Sequence, residues 1–188
     1  MNTEKISIRT ATVDDAREIL EIYAPYITDT AITFEYAVPP LEEFAERIRH
    51  ILTRYPYLVA VENGRIIGYA YVSAFHERAA YDWAVETTIY IKMNYRGHGV
   101  GKKLYFLLEE IMKRQHVLNM NACIAYPNPG SIGFHEHLGY KTIGHFHQCG
   151  YKLDTWYDMI WMEKIIGEHG LHPEKVLPFS AVRNEFFK

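Results

Sequence analysis

The 188-residue sequence has little cysteine, little net charge and no long apolar run. Its two cysteines, Cys123 and Cys149, are too few and too far apart for a disulfide framework, so we expect a reducing, cytoplasmic location. The formal net charge of -3 provides no basic field for nucleic acid. No uncharged apolar run approaches the roughly 20 residues that a membrane helix needs. Residues 1–15 also lack the apolar segment of a secretory signal, so we expect neither a nucleic acid nor a membrane as partner.

Length and composition indicate one globular domain with a hydrophobic core. Hydrophobic periodicity and turn residues predict the following elements: helices at 12–27, 40–55, about 99–115 and 129–139; strands at 6–11, 57–75 (a hairpin around Asn63-Gly64), 81–92, 120–126, 140–150 and 155–165. This order predicts a mixed α/β (α+β) fold, in which helices cover one sheet. The domain is expected to span residues 1–166, and the turn-rich stretch 167–188 is expected to be a C-terminal arm or tail.

A glycine-rich segment, NYRGHGVGKKLY, lies between a predicted strand and an amphipathic helix. It is not a Walker phosphate loop, because Arg96 stands at the first glycine position and Lys103 at the Ser/Thr position. The third glycine of a dinucleotide fingerprint is also missing. What remains is R-x-x-G-x-G, with glycines at 99 and 101, whose bare N–H groups at a helix start favour a phosphate. A tight turn without a ligand is the alternative interpretation of this loop alone.

Five segments in the same order resemble the GNAT superfamily of N-acetyltransferases, and within it the phosphinothricin and methionine sulfoximine acetyltransferase branch. The segments are AITFEY (31–36), RAAYDWAVETTIYI (78–91), NYRGHGVGKKLY (94–105), YPNPGSIGFHEHLGY (126–140) and GYKLDTWYDMIWME (150–163). The resemblance covers residues 6–164. It implies the GNAT acyltransferase fold, with a mostly antiparallel central sheet of about six or seven strands, a splayed central parallel pair and about four flanking helices.

The resemblance implies acetyl-CoA as co-substrate and no metal. The pantetheine arm would enter the splayed gap, the diphosphate would bind the glycine-rich loop, and an asparagine after the next strand would contact the pantetheine amide. The residues implied in cofactor binding are Thr88, Ile89, Tyr90, Ile91, Arg96, Gly97, His98, Gly99, Val100, Gly101 and Asn128. For Asn128, a turn residue in PNPG is the alternative.

Two residues are implied in catalysis. The acceptor amine must be neutral to attack a thioester, so a base has to remove its proton, and the resemblance gives this role to Glu86. Burial among aromatic residues would raise the pKa of that carboxyl group, although a surface glutamate at a strand end is the alternative. His135 stands where many GNAT enzymes have tyrosine, and the phosphinothricin branch also carries histidine at this position. It is expected to protonate the leaving thiolate, to accept the amine proton, or to be a structural histidine; these roles stay open.

The substrate implied by the resemblance is a small amino acid, or an analogue with a tetrahedral phosphinate, sulfone or sulfoximine side chain. Arg78 would bind its carboxylate, and Phe34, Tyr81 and Tyr90 would line the pocket beside the catalytic glutamate. The branch often has lysine where this chain has His76, which weakens the match at the carboxylate contact. A homodimer is also expected.

The strand segment GHFHQCG offers a different kind of site. His145, His147 and Cys149 alternate, so one strand face would present two imidazoles and a thiol, all of which bind zinc. The sequence shows no fourth ligand at a suitable spacing, and we therefore expect no metal.

The sequence thus predicts an acetyl-CoA-dependent amino-acid N-acetyltransferase that acts by direct transfer in a ternary complex. Two alternatives stay open. One is a non-catalytic sensor of acetyl-CoA, and the other is an acetyltransferase for protein N-termini or lysine side chains.

Overall fold

Alternating apolar residues build a single seven-stranded sheet in this protein, for which a computed structural model describes residues 6–187. The strands are β1 (Ser7–Thr10), β2 (Tyr57–Glu62), β3 (Arg65–Ala74), β4 (Ala84–Ile91), β5 (Asn119–Tyr126), β6 (Lys141–Lys152) and β7 (Thr155–Ile165). The helices are α1 (Ala16–Thr28), α2 (Leu41–Leu52), α3 (Val100–Arg114), α4 (Pro129–His137) and α5 (Phe179–Phe186). None of the helices among the described residues has the length and apolar character needed to cross a membrane.

The sheet order is β1-β2-β3-β4-β5-β7-β6, and within residues 6–187 the only parallel neighbours are β4 and β5. The predicted fold class, a mostly antiparallel sheet with a central parallel pair, is therefore confirmed. Alternate residues of the central strands serve two cores. In β2, for example, Leu58 packs with the α3 layer and Val59 with the α1–α2 layer. Helices consequently cover both faces of the sheet.

The parallel pair separates after three residues. β4 and β5 are paired only from Ala84 with Asn119 to Glu86 with Asn121. Beyond this point β4 stays paired with β3 as far as Ile91, while β5 follows β7. Since each strand keeps its outer neighbour, the inner edges of β4 and β5 diverge and leave main-chain groups without a strand partner.

The C-terminal segment contains a helix that the sequence did not predict. Phe179 and Val182 of α5 are buried in the same core as α3, and the amide of Gln115 donates to the carbonyl of Leu177 over 2.7 Å. The prediction of a turn-rich arm or tail at 167–188 therefore omits this helix. The helix has only eight residues, and the glycines and prolines before it hid its periodicity. The domain boundary at residue 166 stays a prediction.

Candidate active site

The divergence of β4 and β5 opens a cleft made of two adjoining cavities, of about 220 and 460 Å³. Ile32, Ile89, Asn128 and Ser131 line both of them, so the cavities are neighbours. The smaller cavity contains Glu86, and the larger one ends at the glycine-rich loop. A long ligand can therefore reach from the start of α3 to the point where the strands part.

The loop end of the cleft presents main-chain donors. Gly99 is the N-cap of α3 and has a φ of 75°, a left-handed conformation that glycine adopts without strain. The first intrahelical bond runs from the N–H of Lys103 to the carbonyl of Gly99 over 3.2 Å. The N–H groups of residues 100–102 therefore lie at the open, electropositive start of the helix, which suits a phosphate.

Two side chains approach Gly101 closely, so a larger residue there would have to displace them. A Cβ atom there would lie 3.2 Å from Ile89 Cδ1 and 3.3 Å from the ring of Phe134. Arg96 is held toward this end of the cleft by Tyr26, because its Nε donates to the hydroxyl group over 3.3 Å and its guanidinium lies 5.1 Å from the ring centre. The loop thus combines a close main-chain approach with one fixed positive charge.

Most of the residues predicted to bind the cofactor line this cleft. They are Thr88, Ile89, Tyr90, Ile91, Arg96, Gly97, Gly99, Val100, Gly101 and Asn128. Asn128 also caps α4, since its Oδ1 accepts from the N–H of Ser131 over 3.2 Å. His98 is exposed beside Tyr95, and its side chain does not line either cavity among the described residues.

Glu86 lies at the inner end of the cleft, on the last pair of residues that joins β4 to β5. Its side chain is half-buried in the smaller cavity. Burial raises the pKa of this carboxyl group, and the nearby His76 lowers it in part. A carboxylate with a raised pKa is a stronger base than a solvated one, so the position suits proton abstraction.

His135 is 3% exposed, and both of its ring nitrogens have protein partners. Nδ1 lies 2.8 Å from the carbonyl of Ser131 and Nε2 lies 2.9 Å from the hydroxyl of Tyr105. Burial lowers the pKa of His135, against the opposing effect of the Ser131 carbonyl. In the neutral ring that results, one nitrogen donates and the other accepts.

A chain of hydroxyl groups continues from His135 into the sheet. The Tyr105 hydroxyl donates to Thr87 Oγ1 over 3.1 Å, and the Thr87 hydroxyl donates to the carbonyl of Asn121 over 2.9 Å. Tyr105 lines the smaller cavity together with His135. The sequence contains no indication of a role for Tyr105, because this residue lies in the apolar stripe of α3 and its contact with His135 of α4 is formed only in the fold.

The α1–α2 loop closes the cleft on the side of the Glu86 cavity that we call the acceptor side, where Phe34 forms the wall. Phe34 lies against Gly150 so closely that a Cβ atom there would be 2.3 Å from its ring. The buried Lys152 donates from Nζ to the carbonyl of Thr33 over 2.7 Å. These contacts fix Phe34 in the wall of the cavity that contains Glu86.

Arg78 and Tyr81 lie elsewhere. They line a separate exposed recess with His76 and Glu77. The rings of His76 and Tyr81 are in contact, with centroids 4.8 Å apart. The structure therefore brings Phe34, Tyr90 and Glu86 together, but it leaves these two predicted substrate residues outside that cavity. Other wall residues that the sequence did not indicate are Lys102, Cys123, Ser131 and Met159.

Comparison with known proteins places this cleft in a family. The family described as "Acetyltransferase (GNAT) domain" matches residues 8–161. A phosphinothricin N-acetyltransferase of Streptomyces viridochromogenes is 34% identical over 177 residues, which cover 94% of this chain and 96% of that one. An L-methionine sulfoximine/L-methionine sulfone acetyltransferase of Pseudomonas aeruginosa is 34% identical over 163 residues, covering 84% and 92%.

A solved structure of the same family has the same fold as this chain. The GNAT phosphinothricin acetyltransferase of Sinorhizobium meliloti, crystallised with acetyl-CoA, superimposes with a TM-score of 0.87 at 35% identity, covering 92% of this chain and 95% of that one.

Proposed function

The chain belongs to the GNAT family of acetyltransferases, and from this premise we propose that it acetylates the primary amine of a small amino acid or analogue. Acetyl-CoA is the donor, and the analogues are those of the phosphinothricin, methionine sulfoximine and methionine sulfone type. Relatives that carry these names support the substrate class. The observation that carries the proposal is the half-buried Glu86 at the point where β4 and β5 part, in a cavity that adjoins the one ending at the loop before α3.

The proposed reaction is direct transfer in a ternary complex. Glu86 removes a proton from the substrate ammonium group, directly or through a water, and the neutral amine attacks the thioester carbonyl. An N–H group on the inner edge of β4 polarises that carbonyl. The C–S bond then breaks, the amide is released and the thiolate of coenzyme A takes up a proton. Holding amine and thioester side by side supplies much of the rate.

For His135 we propose a positioning role rather than that of the acid itself. Both ring nitrogens are occupied, and burial keeps the ring neutral, so it orients the hydroxyl of Tyr105. Tyr105 lines the cavity together with His135, and its hydroxyl is the group that we propose as hydrogen-bond donor to the leaving sulfur. Because a thiolate has a pKa of about 8.5, its protonation demands little of the enzyme.

The substrate contacts that we propose are Phe34, Tyr90 and Glu86 inside the cavity, with Arg78 and Tyr81 at its outer margin. The recess of Arg78 adjoins Glu86 through His76, whose charge influences the pKa of that carboxyl group. An Arg78 side chain turned toward the cavity would bind the carboxylate of an amino acid.

The test is thiol release from acetyl-CoA with a panel of amines. The panel contains phosphinothricin, methionine sulfoximine, methionine sulfone, ordinary amino acids, and peptides that offer either an N-terminal amine or a lysine. We expect the highest kcat/KM for an amino acid or analogue. Release with peptides alone would favour protein acetylation, and acetyl-CoA binding without release from any amine would favour a sensor.

We also propose a homodimer and a cytoplasmic location. The edge strand β6, its partner β7 and the turn between them carry exposed apolar side chains that a second copy would cover, namely Ile143, Phe146, Tyr151, Leu153, Trp156 and Ile165. Changing Trp156 to glutamate is expected to shift the mass measured by light scattering from two chains to one. The free thiols of Cys123 and Cys149 are consistent with a reducing compartment.

A further inference from the structure

A bulge in β6 brings together three potential metal ligands on the edge hairpin. Phe146 is opposite Met159 and Gly150 is opposite Tyr157, so three residues of β6 lie opposite Asp158 alone. Within this bulge Gln148 has a φ of 48°, a left-handed conformation that is uncommon for a residue other than glycine. Bulges re-aim side chains, and this one brings His147 to the carboxylate of Asp158, which the regularly paired His145 also reaches.

The geometry of the three side chains is close to that of a coordination sphere. His145 Nε2 lies 2.8 Å and His147 Nδ1 lies 3.2 Å from Asp158 Oδ2. All three ligand atoms are within 4.8 Å of one another. Ligands of a tetrahedral zinc ion, at about 2.0–2.1 Å from the metal, are roughly 3.3 Å apart. Small rotations of the side chains would therefore make room for an ion between them.

The surroundings already hold the ligands in place. Asp158 Oδ1 accepts the N–H of Gln148 over 2.7 Å, which leaves Oδ2 facing the two imidazoles. The rings of Tyr126 and His145 are in contact, with centroids 5.1 Å apart. Hydrogen bonds of this kind orient metal ligands and increase their affinity. The His147 side chain is 76% exposed, so water or a further ligand has access to the open positions.

We propose that His145, His147 and Asp158 form a binding site for a divalent transition-metal ion, with zinc as the ion best suited to two imidazoles and one carboxylate. The site is separate from acetyl transfer. Asp158 lies on the same face of β7 as Ile160 and Met162, two residues of the core under α3, and this face is opposite to that of Met159. Met159, which lies between them, lines the cavity of Glu86. A metal here would fasten the edge strand to β7 and would not touch the reacting atoms.

The ligand set differs from the one that the sequence suggested. Strict alternation would group Cys149 with the two histidines, but the bulge breaks the alternation. Cys149 Sγ instead lies 3.7 Å from the carbonyl of Phe146. Asp158 comes from the opposite strand, and only the register of β6 on β7 brings it to the histidines.

The experiment is a Zn²⁺ titration of the chelator-treated full chain, by calorimetry and by competition with a chromophoric chelator, without acetyl-CoA. We expect one ion per chain with micromolar affinity. His147→Ala and Asp158→Asn should each weaken binding at least tenfold, whereas His50→Ala, which removes an exposed histidine of α2, should leave it unchanged. Wild-type affinity in His147→Ala, or no stoichiometric binding by the wild-type chain, would overturn the proposal.

A second measurement distinguishes coordination from loss of structure. Co²⁺ should give a visible absorption band in the wild-type chain and in His50→Ala, and this band should be lost in Asp158→Asn. The acetyl-CoA affinity of each variant shows whether it is folded. An unchanged cobalt spectrum in a folded Asp158→Asn chain would remove the carboxylate from the site and refute the proposed ligand set.

Discussion

The loop end of the cleft is built from the main chain of one short segment, whereas the Glu86 end is built from side chains of several distant elements. Residues 96–101 supply the loop of the first end, with side chains such as Tyr26 and Phe134 packed around it. At the second end, Phe34 comes from the α1–α2 loop, Tyr105 from α3, and Met159 from β7. Main-chain recognition needs a local conformation and leaves a local motif. Side-chain recognition needs only the assembled fold, and it leaves almost no local signal.

The largest expected effect concerns the Glu86 end alone. Glu86→Gln removes the base and keeps the shape, so we expect kcat to fall by about 10²-fold or more. Acetyl-CoA affinity should be nearly unchanged, because the loop end is intact. Steady-state kinetics and calorimetry check both values, with Glu110→Gln on the exposed side of α3 as control. Unimpaired turnover would exclude Glu86 as the base.

The loop end should respond in the opposite way. Gly99→Val introduces a branched side chain at a positive φ and disturbs the N–H donors, so we expect acetyl-CoA affinity to fall about tenfold or more. Gly64→Val is a matched control, because Gly64 has a φ of 73° in the β2–β3 turn. Both variants bear similar strain, and only the first should lose affinity in calorimetry. Equal losses would mean that general destabilisation, not the loop, is responsible.

A pH profile sharpens the assignment of Glu86. Only the ionised carboxylate accepts a proton, and burial raises its pKa, so kcat/KM should fall as the pH is lowered through a value above the usual ~4.3 of glutamate. This fall of kcat/KM at low pH should be missing in Glu86→Gln measured with the same amine, because ionisation of the substrate affects both enzymes alike. An identical fall of kcat/KM at low pH in the variant would assign the titration to another group.

The smallest expected effect concerns the wall that holds Phe34. Lys152→Met keeps the length of the side chain but removes the donor to the Thr33 carbonyl. One lost hydrogen bond from a charged group should loosen the α1–α2 loop and raise the KM for the amine about three- to tenfold. The KM for acetyl-CoA should change little. A rise in both values would show that Lys152 supports the whole cleft and not the acceptor side alone.

The contrast between the two ends also explains how far the sequence could be read. The order of elements, the central parallel pair and the family were all predicted, and they are confirmed. Periodicity and turn residues predicted the order of elements as far as β7, without α5. The parallel pair and the family were implied by the resemblance of motifs that are contiguous in the chain. The roles of individual site residues stay predictions that the kinetic variants above will decide.

What the sequence could not give depends on contacts between distant residues. Nothing local in α3 distinguishes Tyr105 from its apolar neighbours, yet the fold sets its hydroxyl 2.9 Å from His135. The placement of Arg78 in a separate recess follows from the path of the chain before β4. The bulge that joins Asp158 to two histidines likewise requires the register of two strands.

The early separation of β4 and β5 has a consequence for the protein without its donor. Past Glu86, the inner edges of both strands lack the partner that would complete the sheet. A pantetheine arm in that gap would supply the missing hydrogen bonds, and a ligand that binds only the native state stabilises it by an amount that rises with the logarithm of its concentration above Kd. Supply of acetyl-CoA would then govern not only the rate of the enzyme but also its survival, with the depleted chain being the one that opens and is degraded first.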